Sequence, residues 1–151
     1  MSGHDSGQGD VSGMMKGLGG FDDAMGMHVV RASPEEVVIE YIVGPQHLQP
    51  YGIVHGGMHC AGVETACSLG AGLTAYARQQ AVVGVENHTS FIRAVRSGRV
   101  RITARPISRG RRSQIWEATA TDEAGQVVST GRVRLLCLAR DAELAGQKVS
   151  T

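Results

Sequence analysis

The chain has 151 residues, 42% hydrophobic and 19% charged, with a formal net charge of +1. That length supports one domain with a real core, and so balanced a charge gives no general attraction to nucleic acid or an anionic membrane. No apolar run approaches the roughly 20 residues that span a bilayer, and the first residues lack the basic and apolar regions of a secretory signal.

Residues 1–26 are rich in Gly, Ser, Asp and Met and poor in periodic hydrophobics, so they read as a flexible segment. Met14, Met15, Leu18, Phe21 and Met25 could still form a short docked helix or lid at its end. From Met27 the pattern is strand-like: Val29 and Val30 lead to the turn signal Ser33-Pro34. Residues 36–43 are a β-branched-rich strand, stopped by Gly44-Pro45. Residues 55–78 form the one long helix candidate, with Met58, Ala61/Gly62, Ala66, Leu69, Leu73 and Tyr76 at helical spacing. Its small residues make it thin, and Gly62, Gly70 and Gly72 cost helix propensity, so tertiary burial must hold it. Four strand-like runs follow at about 81–94, 98–108, 111–122 and 126–139, with Asp122-Glu-Ala-Gly125 a hairpin turn. Residues 140–151 are a tail to a domain spanning 27–139. The order predicts an α+β fold, an antiparallel sheet covering a single helix. Its edges and far face predict self-association.

The stretch Gln49-Pro-Tyr-Gly-Ile-Val-His55-Gly56-Gly57 stands at the helix start. The mundane role of its glycines is to let the chain turn. The functional one is to bring bare N–H groups up to a ligand oxygen, where the helix dipole already favours negative charge. An oxyanion hole needs such preplaced donors.

Glu64 is the only acid between Val54 and Ala77, and no Lys or Arg lies in that interval, so no helical ion pair accounts for it. The wet side of an amphipathic helix usually carries several charges. A functional carboxylate is therefore the better reading, and burial would raise its pKa until it accepts a proton near neutrality. Glu64 is eight positions after Gly56, roughly 12 Å along one helix. Both cannot touch one carbonyl, but an antiparallel partner helix across a two-fold axis would bring its Glu64 to this Gly56. The site should be shared between subunits.

His55 is better placed to anchor the turn than to act as a base. His55 and His59 have the spacing of zinc ligands, but nothing completes a metal site. Cys60 lacks a base at fixed spacing and reads as packing, and Cys60, Cys67 and Cys137 together suit a reduced cytoplasmic protein. Ser68, one turn after Glu64, either holds the carboxylate or a water, or bonds its own backbone. Eight arginines and no acid stand between positions 93 and 112. Most read as solvated strand faces, while the Arg109-Gly-Arg-Arg112 turn could hold a phosphate-rich ligand tail. With 4% aromatics and no recognition motif, nucleic acid is not the partner.

The string Gln49-x-x-Gly52-x-x-His55-Gly56-Gly57, with its acid at 64, resembles the hotdog-fold acyl-CoA thioesterases of the PaaI-like and 4-hydroxybenzoyl-CoA thioesterase type. Asn87-His-Thr-Ser-Phe-Ile-Arg93 and the 109–112 turn before Trp116-Glu117 resemble later family segments, extending the likeness over about 27–138. The resemblance implies a six-stranded antiparallel sheet wrapped around the helix, paired into homodimers and often homotetramers. By position, the Gly56 N–H would polarise the thioester carbonyl. Glu64 of the opposing subunit would act as general base or as nucleophile, Gln49 would position the thioester or water, and Ser68 would orient them. His55 would support the turn. Gly57, Asn87, His88, Arg109, Arg111, Arg112 and Ser113 fall to substrate and CoA binding. Coenzyme A is part of the substrate, and neither cofactor nor metal is implied. Many PaaI-like members have Asn and Asp where this chain has Gln49 and Glu64; the Gln/Glu pair resembles the 4-hydroxybenzoyl-CoA branch more closely, a lean toward aryl-CoA substrates. Two rivals are a hotdog dehydratase, which would need His55 as its base, and a non-catalytic acyl-CoA-binding sensor. The first 26 residues are too short and Gly-rich to supply a sensor's DNA-binding output domain.

Overall fold

The helix α2 (Gly56–Tyr76) is built mostly of small residues, and the rest of the chain is arranged around it. A computed structural model of the chain describes residues 19–149. Before α2 come a short helix α1 (Gly20–Ala24), strands β1 (His28–Ala32) and β2 (Val37–Ile42), and a 3₁₀ turn at Pro45–His47. After it come β3 (Gln80–Phe91), β4 (Arg99–Arg109), β5 (Ser113–Thr121) and β6 (Val127–Ala139), then a small hairpin of β7 (Glu143–Leu144) and β8 (Gln147–Lys148). The main sheet has six strands in the order β1-β2-β4-β5-β6-β3, every neighbouring pair antiparallel. The α+β architecture read from the element order is the one found, and Asp122–Gly125 makes the β5–β6 turn, with the Gly125 N–H on the Asp122 carbonyl at 3.0 Å.

The helix packs on β2 through β6, and two of its glycines explain how closely. A Cβ on Gly62 would stand 2.6 Å from Ile102 Cδ1, and one on Gly70 would stand 2.3 Å from the Trp116 ring. Close packing of large sheet side chains offsets the propensity those glycines lose. Gly72 differs, since the nearest atom to its missing Cβ is 3.9 Å away. Around the seam Ile39, Tyr41, Ile102, Trp116 and Leu135 are buried from the sheet side, and Ala66, Cys67 and Ala71 from the helix. The one Trp also satisfies its polar edge: Trp116 Nε1 donates to Gln114 Oε1 at 2.9 Å, and Gln114 Nε2 donates to the Ala71 carbonyl at 3.1 Å.

The segment holding Phe21 and Met25 is tied to the core. Thr65 Oγ1 donates to Asp22 Oδ1 at 2.7 Å, His47 Nε2 lies 2.9 Å from the Met25 carbonyl, and Met27 is buried. Met14, Met15 and Leu18 lie outside the described residues. On the sheet's other face Arg99 and Arg101 pair with Glu40 and Arg105 with Glu36, while Arg109, beyond the β4 bulge, meets Glu35 at the sheet's end. The strand β3, 12 residues long, has among the described residues a neighbour on one side only.

Candidate active site

The start of α2 is fixed by His55, which is extended at the N-cap. Its Nδ1 accepts the Gly57 N–H at 2.8 Å, and its own N–H donates to the His47 carbonyl at 2.8 Å. The imidazole thus caps the helix, and Gly57 has no N–H left for a ligand. The Gly56 N–H has no acceptor among the described residues, as expected of a first-turn donor. A Cβ on Gly56 would lie 2.6 Å from the Phe91 ring, so only glycine fits there without moving that ring.

Gly56 opens on a recess of about 270 Å³, lined also by Gln49, Ile53, Val54, His59, Phe91, Ile92, Arg93 and Ala94. Gln49 Oε1 accepts the Tyr51 N–H at 2.6 Å, which leaves its amide NH₂ without a partner among the described residues. Arg96, in the connection between β3 and β4, braces this turn, donating to the Tyr51 and Gly52 carbonyls at 2.8 and 3.2 Å.

Glu64 is half-buried and held on both oxygens. Ser68 Oγ donates to Oε1 at 3.2 Å, and Asn87 Nδ2 donates to Oε2 at 2.9 Å. Asn87 Nδ2 also reaches the Cys60 carbonyl at 3.1 Å. Thr89 Oγ1 donates to Asn87 Oδ1 at 2.6 Å, which fixes the amide with its NH₂ toward the carboxylate. Gly84 makes the room, because a Cβ there would be 2.2 Å from Glu64 Oε1.

A bulge brings Gly84 and Asn87 to the same face. The β3–β6 register shifts between Gly84 and Glu86, so Val85 is the extra residue and the alternation resets after it. His88 consequently stands on the opposite face of the sheet, in a groove with Glu117 and Arg132. It is not brought to Glu64.

The arginine turn lies at the other end of α2. Arg78, just past the helix, donates to the Arg109 and Gly110 carbonyls at 3.2 Å each. Arg109 is engaged by the Pro34 carbonyl at 3.1 Å and by Glu35 at 3.5 Å. Arg111 and Arg112 are exposed, have no carboxylate partner among the described residues, and lead into half-buried Ser113. Within one subunit this turn is about 30 Å of helix away from Gly56.

All three cysteines are free. Burial pushes the Cys67 thiol well above its usual range, with Glu64 and Glu117 adding to the effect, so it is an inert packing group. His59 was legible only as half of an incomplete zinc spacing. It is buried on the recess side of α2, and burial lowers its pKa below the ordinary imidazole value.

The model of the thioesterase superfamily matches residues 51–129, a stretch that begins just after Gln49 and holds Gly56, His59, Glu64 and Asn87. This chain belongs to that superfamily. It is a thioester hydrolase of the hotdog type. The Mycobacterium tuberculosis “putative esterase Rv1847” is 41% identical over 117 residues, 76% of this chain and 84% of that protein. The solved structure of the mycobacterial protein matches this thioesterase with a TM-score of 0.78 at 40% identity, covering 82% of this chain and 98% of that one. The proofreading thioesterase EntH of Cronobacter turicensis is 34% identical over 116 residues, 77% of this chain and 84% of that protein. The 1,4-dihydroxy-2-naphthoyl-CoA hydrolase of Escherichia coli is 38% identical over 87 residues, 56% of this chain and 62% of that enzyme.

Proposed function

We propose that this thioesterase hydrolyses acyl-CoA thioesters to the free acid and CoA, with each active site shared across a homodimer. The observation that carries the reading is a single relationship. A carboxylate held by two donors and a free helix-start N–H lie on the same helix, too far apart to act on one carbonyl. Two-fold pairing of α2 with its copy resolves that distance. The unpaired side of β3 supports such pairing, and Val85, Phe91 and Ile92 expose apolar surface along it. The E. coli relative supports a CoA thioester as the substrate class.

In the shared site the Gly56 N–H and the Gln49 amide receive the thioester carbonyl oxygen, where charge develops as the carbonyl carbon becomes tetrahedral. Glu64 of the partner subunit takes a proton from water, whose oxygen attacks that carbon. The C–S bond then breaks, and the thiolate leaves with the proton that Glu64 returns. Direct attack by the carboxylate, through a mixed anhydride that water then opens, is the second route open to the same geometry. Antiparallel pairing would also bring the partner's exposed Arg111 and Arg112 toward this site, where bidentate contacts to CoA phosphates are available. No cofactor or metal enters these steps.

The free cysteines fit a reducing compartment, so we place the reaction in the cytoplasm. Among the described residues no helix is long and apolar enough to cross a membrane.

The experiment is thiol release from a panel of aryl- and fatty acyl-CoA esters, wild type beside Glu64→Ala. Hydrolysis by the wild type that falls at least about 100-fold in the variant, with CoA binding kept, supports the reading. Tight acyl-CoA binding without turnover would make the protein a sensor instead.

A further inference from the structure

His59 lies one turn beyond Gly56, about 4.5 Å along α2, and lines the same recess. It is 5% exposed. Its Nδ1 is 3.3 Å from Ser129 Oγ, and its ring centroid is 5.8 Å from that of Phe91. Ser129 is fully buried, and among the described residues its hydroxyl has no other side-chain partner. A buried hydroxyl that fails to donate leaves its proton unsatisfied at a real cost. Ser129 therefore donates, Nδ1 accepts, and the ring proton sits on Nε2. Nε2 has no partner among the described residues, so it is the donor left for whatever fills the recess. Its neighbours there include apolar Ile53, Val54, Phe91 and Ile92, with Gln49 and Arg93 the other polar side chains of the lining. A neutral donor set beside apolar walls, apart from the Gly56 N–H and the Gln49 amide that receive the carbonyl, can fix a ligand's orientation.

Resting on the acyl-CoA reading, we infer that His59 selects acyl groups carrying an oxygen on the carbon β to the thioester carbonyl, as in a 3-hydroxyacyl or an ortho-hydroxyaroyl group. With the carbonyl oxygen on the Gly56 N–H, one turn of helix sets Nε2 where that second oxygen lies. An unsubstituted acyl group would leave that N–H unpaired in the filled recess, and sites built to pair a hydroxyl discriminate strongly against analogues lacking it. Burial lowers the His59 pKa, which keeps the ring neutral in the tautomer Ser129 fixes.

The test measures kcat/KM for two matched pairs, 3-hydroxybutanoyl-CoA against butanoyl-CoA and 2-hydroxybenzoyl-CoA against benzoyl-CoA. Wild type should favour the oxygenated member of at least one pair by about 10-fold or more, and the pair that shows it distinguishes an alkyl from an aryl source. His59→Leu should bring that ratio close to one. Ser129→Ala keeps the imidazole but frees its tautomer, and should lower the ratio too, so the result stands even where His59→Leu folds poorly. Hydrolysis with a wild-type ratio near one in both pairs overturns the inference and leaves the acyl-CoA reading standing. So does a ratio that survives in folded His59→Leu. No thiol release from any of the four esters by wild type overturns both.

Discussion

The side chain that Gly84 lacks is replaced in space by the Glu64 carboxylate, whose Oε1 lies 2.2 Å from where a Cβ would stand. Gly84→Ala therefore pushes Glu64 away from Ser68 and Asn87. A displacement of about 1 Å at a reacting group costs on the order of 100-fold in rate. We expect kcat on a good acyl-CoA substrate to fall by about that factor, while the thermal midpoint moves by only a few degrees. Activity within a factor of about two of wild type would show that Glu64 does not need this seat.

Asn87 acts through Glu64, as a positioning residue. Asn87→Leu removes the donor to Oε2 and should lower kcat more than it alters KM. Asn87→Asp places a second carboxylate beside the first, and two such groups keep one proton to higher pH. The acid limb of its kcat–pH profile should then move upward by about one unit or more. A limb that stays in place would reduce Asn87 to a packing role.

Shared sites make a quantitative demand on mixed subunits. Gln49→Ala spoils the carbonyl-binding half of a site and Glu64→Ala the carboxylate half. Unfolded together and refolded as equal mixtures, the two variants should recover about a quarter of wild-type activity, because half the dimers are mixed and each holds one intact site. Sites contained within one subunit would recover nothing.

His59 gives the fold a pH dependence of definite sign. Its folded pKa is lowered by burial, while the unfolded chain titrates near about 6.5. Between those values the unfolded state binds more protons, so this contribution is complete above about pH 6.5 and is lost as pH falls through the folded value. The urea midpoint of the wild type should drop more steeply from pH 7.5 to 5.5 (test conditions of about that range) than that of His59→Leu. Parallel slopes would mean that the ring accepts a proton without cost in the folded state.

The element order was readable because α2 keeps helical spacing and Gly-Pro or Asp-Glu-Ala-Gly signals close the strands. The carboxylate was readable because Glu64 stands alone among small residues. What surrounds it was not. Simple alternation along β3 puts Gly84, Glu86 and His88 on one face, and the bulge at Val85 leaves no compositional mark, so Asn87 and His88 could not be sorted to opposite sides. Pairings distant in sequence were equally hidden: His59 meets Ser129 across 70 positions, and Arg109 meets Glu35 across 74. Gly57 looked equivalent to Gly56 until the ring of His55 claimed its N–H.

The near-contacts of Gly62 with Ile102 and of Gly70 with Trp116 also bear on how this protein can be redesigned. A mutagenesis library that varies the helix alone will return almost nothing larger than glycine at these two positions. Varied jointly with their sheet partners, each pair offers exchanges of volume that keep the packing full, such as alanine on the helix against a trimmed side chain opposite. The unit of variation at this seam is therefore the pair.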